Sequence, residues 1–527
     1  MGIDEGNGAV AVLRSLVAGH ARICFANPGT TELTLVQAMA DVRELKTVLC
    51  LFEGVATGAA DGFSRVSGEV ALTLLHLGPG FANGIANLHN ARRAHSRIVN
   101  LIGDHATWHL AADAPLTSDI RSLAATVSAE VIYTGSPDSL AADIARGLRA
   151  ARGACGAIAT LILPTDVMDA PAPATAPATA PATAFVSGDP GDGTPRPVPA
   201  ERIADVAQRL CTPGEKVILL GGAALGEAGI RAAERLARRC GARLLMEPYP
   251  AIVTLGGGLP RIERQAYFPD DVVRQMGEAT VVLAGARMPI SYFGYEGWPS
   301  QLVPDARLAL LSEAGEDSVA ALAALADLIG GVAGDLPPWP AAPATPQGLN
   351  AAAVVEALLP RLPADAIISL EGSTLGGPWL REAHRAARHQ VMTNTGGAIG
   401  QGLPCALGAA LAAPGRRVVS LQSDGSAQYT VQALWTIAHE RLPITVIIAA
   451  NHRYAILQTE LRRASADLTH PAIAGMTVLD TPATDWVALA AAYGVPALRV
   501  NAGDELGVAL DSALACEGPM LIAVELP

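Results

Sequence analysis

The chain has 527 residues, half of them apolar, with 37 basic and 50 acidic side chains for a net charge of -13. That length suits about three domains with ample core, and the acidic balance argues against nucleic acid or an anionic membrane as partner. Seven scattered cysteines without a CxxC pair fit buried, reduced thiols better than a disulfide framework or a metal cluster. The start, Met1-Gly2-Ile3-Asp4-Glu5, lacks the basic and apolar segments of a signal peptide. No apolar run reaches transmembrane length without Gly, Pro or charge, so a cytoplasmic protein is expected.

Apolar runs at 22–25, 47–52, 70–75, 98–102 and 160–163 alternate with helical patterns. An Ala-Pro-Ala-Thr repeat and a Gly/Asp-rich stretch then make 171–198 a connector that cannot build a core. Runs at 217–220, 244–246, 281–283 and 308–311, spaced by Ala-rich amphipathic stretches, mark 199–335 as the next unit. Pro337-Pro338-Trp339-Pro340 lies in a second linker, 336–348, and 349–527 carries runs at 367–368, 418–421, 444–448 and 521–524. Alternating strands and helices predict an α/β protein of three doubly wound parallel-sheet domains, 1–170, 199–335 and 349–527.

Ser423-Asp424-Gly425-Ser426 follows one apolar run, and a second run ends at Asn451. A strand-helix-strand crossover would set these two hard oxygen donors side by side at the carboxyl edge of a parallel sheet. Mg²⁺ suits such a pair, because it binds through one or two protein oxygens plus ligand phosphates. The backbone N–H groups of Gly425, Ser426 and Ala427, at a helix start, suit an anion. An Asp-Gly dipeptide by itself is only a common turn.

Five further positions stand out. Glu53 follows an apolar run, where a carboxylate needs a partner to be buried; a surface ion pair is the plainer alternative. His76 ends the run 71–75, either as a structural hydrogen-bonding group or as one that titrates near neutrality. Thr30 is placed to cap a helix beginning near Leu33. His105 and His109, four apart, would share a helix face, as substrate contacts or as polar surface.

The acidic turn followed some two dozen residues later by an Asn-tipped strand resembles the signature of thiamine-diphosphate enzymes, with Ser423 and Ala450 in place of the usual Gly and Asn. Asn27-Pro28-Gly29-Thr30-Thr31-Glu32, Phe52-Glu53-Gly54, Ala60-Asp61-Gly62-Phe63-Ser64-Arg65, Leu74-Leu75-His76, Gly400-Gln401-Gly402-Leu403-Pro404 and the closing run 519–526 resemble the benzoylformate decarboxylase and acetolactate synthase-like family across the chain. The resemblance implies a pyrimidine-binding domain at 1–170 and a pyrophosphate-binding domain at 349–527, with thiamine diphosphate and Mg²⁺ as cofactors. Asp424, the Asn451 side chain and the Arg453 backbone carbonyl would ligate the metal. Glu53 would hydrogen-bond a pyrimidine nitrogen of the cofactor and so promote loss of the proton from its reactive carbon. His76 would move protons at the reacting carbonyl, and Thr30 would contact the substrate carboxylate. Ser373, Thr374, Gly397, Gly425, Ser426, Ala427 and Tyr454 would contact the cofactor, while Ile399 wedges it into a bent shape. Leu77, Phe293, Ile456 and Leu457 join His105 and His109 as substrate candidates.

Two features of the family are missing. No second His stands near 287–295, where benzoylformate decarboxylase takes one from its middle domain, and the adjacent His pair of pyruvate decarboxylases is absent. Gly221-Gly222-Ala223-Ala224-Leu225-Gly226 reads as a tight connection, and FAD is not expected. The resemblance implies a homodimer or homotetramer acting on a small-molecule 2-oxo acid or aldehyde. The implied reaction is non-oxidative decarboxylation with carboligase ability. Acetolactate synthase-like carboligation and hydrolytic cleavage of a cyclic 1,2-dione are the alternatives. A non-enzymatic paralogue would be expected to have lost Glu53 or Asp424, and neither is lost.

Overall fold

The structure is a computed structural model that describes residues 6–172, 193–332, 334 and 348–527. Residues 1–5 and most of both expected linkers lie outside the described residues. The chain divides into two compact units, one joining Met1–Thr194, Ile367–Leu375 and Asn394–Pro527, the other Pro195–Ala366 and Gly376–Thr393.

In the first unit, β1 (Ile23–Asn27), β2 (Lys46–Leu49), β3 (Ala71–Leu75), β4 (Ile98–Asp104), β5 (Glu130–Tyr133) and β6 (Ile158–Pro164) form a parallel sheet in the order β2-β1-β3-β4-β6-β5. β4 and β6 are buried at every position, as the interior of a sheet covered on both faces requires. In the second unit, β7 (Lys216–Leu220), β8 (Arg243–Met246), β9 (Val253–Leu255), β10 (Glu263–Arg264), β11 (Thr280–Ala284) and β12 (Leu308–Ser312) follow. All but β9 form a parallel sheet ordered β10-β8-β7-β11-β12.

The remaining strands are β13 (Ala366–Leu370), β14 (His389–Met392), β15 (Val418–Ser423), β16 (Ile444–Ala450), β17 (Ala497–Val500) and β18 (Met520–Glu525). In the first unit β17-β18-β16-β15-β13 run parallel in that order. In the second, β14 pairs antiparallel with β9. The α/β class with parallel sheets is thus realised.

Within the first unit the Glu53–Ser67 helix packs on the Gly402–Ala412 helix. The approach is so close that a Cβ at Gly408 would overlap the backbone of Ala59 and Phe63. Beside this crossing, Arg65 forms an ion pair with Asp61 in which both side chains are almost wholly buried. Such a pair is tolerated because further hydrogen bonds complete it: the Ser96 hydroxyl donates to Asp61, and Arg65 donates to Thr395 Oγ1 at 3.1 Å.

All seven cysteines are free; Cys24, Cys50 and Cys405 are buried, and burial pushes the Cys24 thiol up to about 12. Cys155 and Cys211 are exposed rather than buried as expected. Among the described residues, no helix is long and apolar enough to cross a membrane.

Candidate active site

Parallel strands bring their carboxyl ends to one edge, and there the first sheet gathers Asn27, His76 and Gly103 with the turn Thr30–Glu32. Glu32 is fully buried. Its carboxylate accepts from the Gly29 amide at 2.8 Å and the Thr31 hydroxyl at 2.7 Å, and lies 2.9 Å from His76 Nδ1. The Thr31 hydroxyl is also 3.2 Å from that nitrogen. Two glycines make room: a Cβ at Gly29 would overlap the imidazole, and one at Gly103 would overlap the Glu32 carboxylate.

Two expectations are corrected at this edge. Thr30 is not a helix cap: Gly29 precedes the 3₁₀ turn, Thr30 is exposed, and the hydroxyl near the imidazole belongs to Thr31. His105 and His109 do not share a helix, because 105–109 runs through an irregular turn; their rings nonetheless lie edge to face at 5.7 Å. The His105 amide is held by Asp104 Oδ1 at 2.8 Å, which diverts the chain from a helical path.

Glu53 is the first residue of its helix, after Phe52 at the cap, where a carboxylate is favoured by the helix dipole. It is half-buried and accepts from Asn83 Nδ2 at 3.1 Å. A Cβ added at Gly80 would lie 3.0 Å from Glu53 Oε1 and 3.2 Å from His76 Cβ, so both side chains border the same bare stretch of the Leu77–Ala94 helix. Leu77, buried beside His76, takes φ 50°, a left-handed conformation that costs a branched residue on the order of 1–3 kcal/mol.

At the other sheet, Ser423 pairs with Ala449, which sets Asp424 and Asn451 at adjoining strand ends. Asp424 accepts from the amides of Gly425 at 2.8 Å and His452 at 2.7 Å, yet burial outweighs these bonds and holds its carboxyl above the usual range. Asn451 donates to Thr374 Oγ1 at 2.9 Å, its own oxygen accepts from the Arg453 amide at 3.2 Å, and the Arg453 carbonyl accepts from Ala455 at 3.1 Å. No group of three or more His, Cys, Asp or Glu is disposed to hold a metal among the described residues. A desolvated carboxylate at one strand end, with an amide oxygen and a backbone carbonyl just past the adjoining one, is a donor set whose chemistry fits a small divalent cation that also binds phosphate. His452, not singled out from the sequence, lies 3.9 Å from Asp424 and 3.0 Å from Glu525.

The Gly397–Ile399 segment is held by residues the sequence reading missed. Glu371, just past β13 and 2% exposed, accepts from the amides of Gly400 at 2.8 Å, Gln401 at 3.1 Å and Gly402 at 2.8 Å. Burial pushes its carboxyl up to about 7. Asn90 and Asn394 both donate to the Ala398 carbonyl, at 2.7 and 2.9 Å. A signal for Glu371 was available, since Leu370-Glu371-Gly372 repeats the apolar-Glu-Gly pattern of Phe52-Glu53-Gly54.

Ser373 opens the Ser373–Glu382 helix, and the Tyr454 ring lies against Gly425, where an added Cβ would come within 2.7 Å of it. Ser426 and Ala427 are buried in the short Asp424–Ala427 helix, whereas Ile456 and Leu457 are exposed on the Ala455–Arg463 helix. Phe293 belongs to the second unit, exposed and in contact with the rings of Tyr292 and Tyr295.

Parallel sheets whose carboxyl edges carry a carboxylate, an imidazole and oxygens that fit a divalent cation are an arrangement suited to an enzyme with a phosphate-bearing cofactor. Comparison with known proteins specifies the cofactor. The thiamine pyrophosphate enzyme N-terminal TPP binding domain matches residues 6–123, and the C-terminal TPP binding domain matches 378–524. The chain is 44% identical to a Mycobacterium tuberculosis protein provisionally named acetolactate synthase large subunit IlvX, over 99% of both chains. It is 30% identical to benzoylformate decarboxylase of Pseudomonas aeruginosa, over 95% of both. Among solved structures, the thiamine diphosphate-dependent 4-hydroxybenzoylformate decarboxylase of Rhodococcus jostii superposes with a TM-score of 0.82 at 23% identity, covering 99% of each chain, which speaks to the fold alone. The chain belongs to the thiamine pyrophosphate enzymes, within the acetolactate synthase and benzoylformate decarboxylase type.

Proposed function

We propose that this enzyme is a thiamine-diphosphate- and Mg²⁺-dependent lyase that removes CO₂ from a 2-oxo acid, with carboligation to a carbonyl acceptor as an associated activity. The observation that carries the reading is the pairing of Glu53 and His76 about Gly80 at one sheet edge. When bound, thiamine diphosphate supplies a carbon nucleophile and an electron sink for the charge left by departing CO₂. Glu53, steadied by Asn83, binds a pyrimidine nitrogen and holds or releases its proton there. His76 exchanges a proton with the substrate's carbonyl oxygen.

Asp424, Asn451 and the Arg453 carbonyl would hold Mg²⁺. Ser373, Thr374, Gly425, Ser426 and Ala427 would bind the diphosphate, and Gly397, Ile399 and Tyr454 the rest of the cofactor. Thr30, Leu77, His105, His109, Ile456 and Leu457 would face substrate. We place the enzyme in the cytoplasm as a homodimer or homotetramer.

A second reading, carboligation of two 2-oxo acids as the main reaction, is favoured by the name of the 44%-identical relative. The test is CO₂ release from pyruvate, branched-chain and aryl 2-oxo acids with thiamine diphosphate and Mg²⁺. Turnover should vanish without cofactor and fall about 100- to 10,000-fold in Glu53→Gln. A hydroxy-oxo acid product forming faster than free aldehyde selects the second reading, and cofactor-independent turnover overturns both.

A further inference from the structure

We infer that Glu32 is the positioning residue for His76: it takes the imidazole's Nδ1–H, fixes that tautomer, and presents Nε2 as the nitrogen that exchanges protons with substrate. The inference deepens the function proposed above and rests on it for the role of Nε2. The tautomer follows from donor counting with Glu32 ionised.

Glu32 is buried to 0% exposure, and its other partners, the Gly29 amide and the Thr31 hydroxyl, are both donors to it. Two donors already converge on the carboxylate, the environment of an ionised, accept-only group, and with Glu32 so ionised the 2.9 Å contact to Nδ1 carries its proton on the ring. Thr31 has spent its single hydroxyl proton on Glu32 Oε1 at 2.7 Å and cannot donate to Nδ1. Nε2 has no hydrogen-bond partner among the described residues, while the His76 side chain keeps 22% exposure. Protonated at Nε2, the ring gives that proton to the substrate's carbonyl oxygen as the oxygen gains charge and takes it back when the carbonyl re-forms, while Nδ1 keeps its own throughout.

The same local sequence builds the clamp and its clearance. Gly29 lets the imidazole close on the turn that carries Glu32, and Gly103 leaves space for the carboxylate. A carboxylate that fixes the ring orientation of a proton-transferring imidazole is a recurrent device in enzymes that share no fold with this one.

The experiment is a two-bond ¹⁵N–¹H correlation spectrum of the full-length, ¹⁵N-histidine-labelled protein without substrate, at a pH where His76 is neutral, with its signal assigned by its loss in His76→Gln. The expected spectrum shows a protonated Nδ1 and a bare Nε2. In Glu32→Gln, whose amide can itself donate, the ring should shift toward the Nε2–H form, kcat should fall about 10- to 100-fold, and the pH profile of kcat/KM should change. Gly103→Ala, which displaces the carboxylate without removing it, should shift the ring the same way. An Nε2–H tautomer in the wild-type protein overturns the proposal, as does an Nδ1–H tautomer that survives Glu32→Gln. The spectrum needs no turnover, so correct tautomer with no CO₂ release would sink the decarboxylase reading alone.

Discussion

As a proposed metal ligand, Asp424 would favour binding while its burial opposes folding. Burial raises its pKa, so the folded state holds the proton more tightly than the unfolded chain does, and stability is lost as pH rises past the folded value. At neutral pH, Asp424→Asn should therefore melt higher than the wild type in the absence of ligand. The same variant should bind thiamine diphosphate with Mg²⁺ about 10- to 150-fold more weakly, having lost a charge-assisted contact. Thermal melts and calorimetric titration together check both signs. Asp424 and Asn451 were legible because a crossover of ordinary length must bring them to one edge. Glu32 was not: it stood in the 27–32 motif with no role of its own, and only the closed positions of Gly29 and Gly103 reveal its burial.

Elements were legible where apolar runs were long and central. β4, β6, β15 and β16, of six or seven residues, coincide with runs visible in the sequence. β5, β10 and β17 escaped because they are short edge strands with mixed polarity, as Arg499 within Ala497–Val500 illustrates. The short antiparallel pair β9 and β14 escaped too, joined only by tertiary contact across a long stretch of chain. The helix–helix crossing at Gly408 was likewise invisible, since a glycine in an apolar helix reads as a weak point until its partner is known. Gly408→Val should cost about 3 kcal/mol of stability, read as a lower denaturation midpoint with an unchanged slope. A midpoint equal to that of the wild type would show that the two helices separate easily.

For the whole molecule, two buried groups respond to pH with opposite signs. Glu371, held at about 7 by burial, contributes stability to the first unit that is fully present below about 4.5 and is lost as pH rises through 7. His389, packed on Trp379 in the second unit, is lowered by burial to about 4, so its contribution is present above about 6.5 and is lost as pH falls. Hydrogen exchange at pH 5 and pH 7 should show amides of β15 and β16 better protected at the lower pH, and those of β9 and β14 better protected at the higher. Glu371→Gln and His389→Gln should each flatten only their own unit's response. Higher protection in both units at the same pH, after allowance for the intrinsic exchange rate, would refute the assignment.

The first unit is assembled from both ends of the sequence, and this bears on how it is made. The face of the Glu53–Ser67 helix that receives Gly408 is synthesised more than three hundred residues before its partner. At about 5–20 residues per second, that face stays bare on the ribosome for roughly 20 to 70 s. A nascent chain of this protein is thus a candidate client for chaperones that shield apolar surface. Its yield in a cell should depend on translation speed and chaperone supply as much as on the stability of the finished fold.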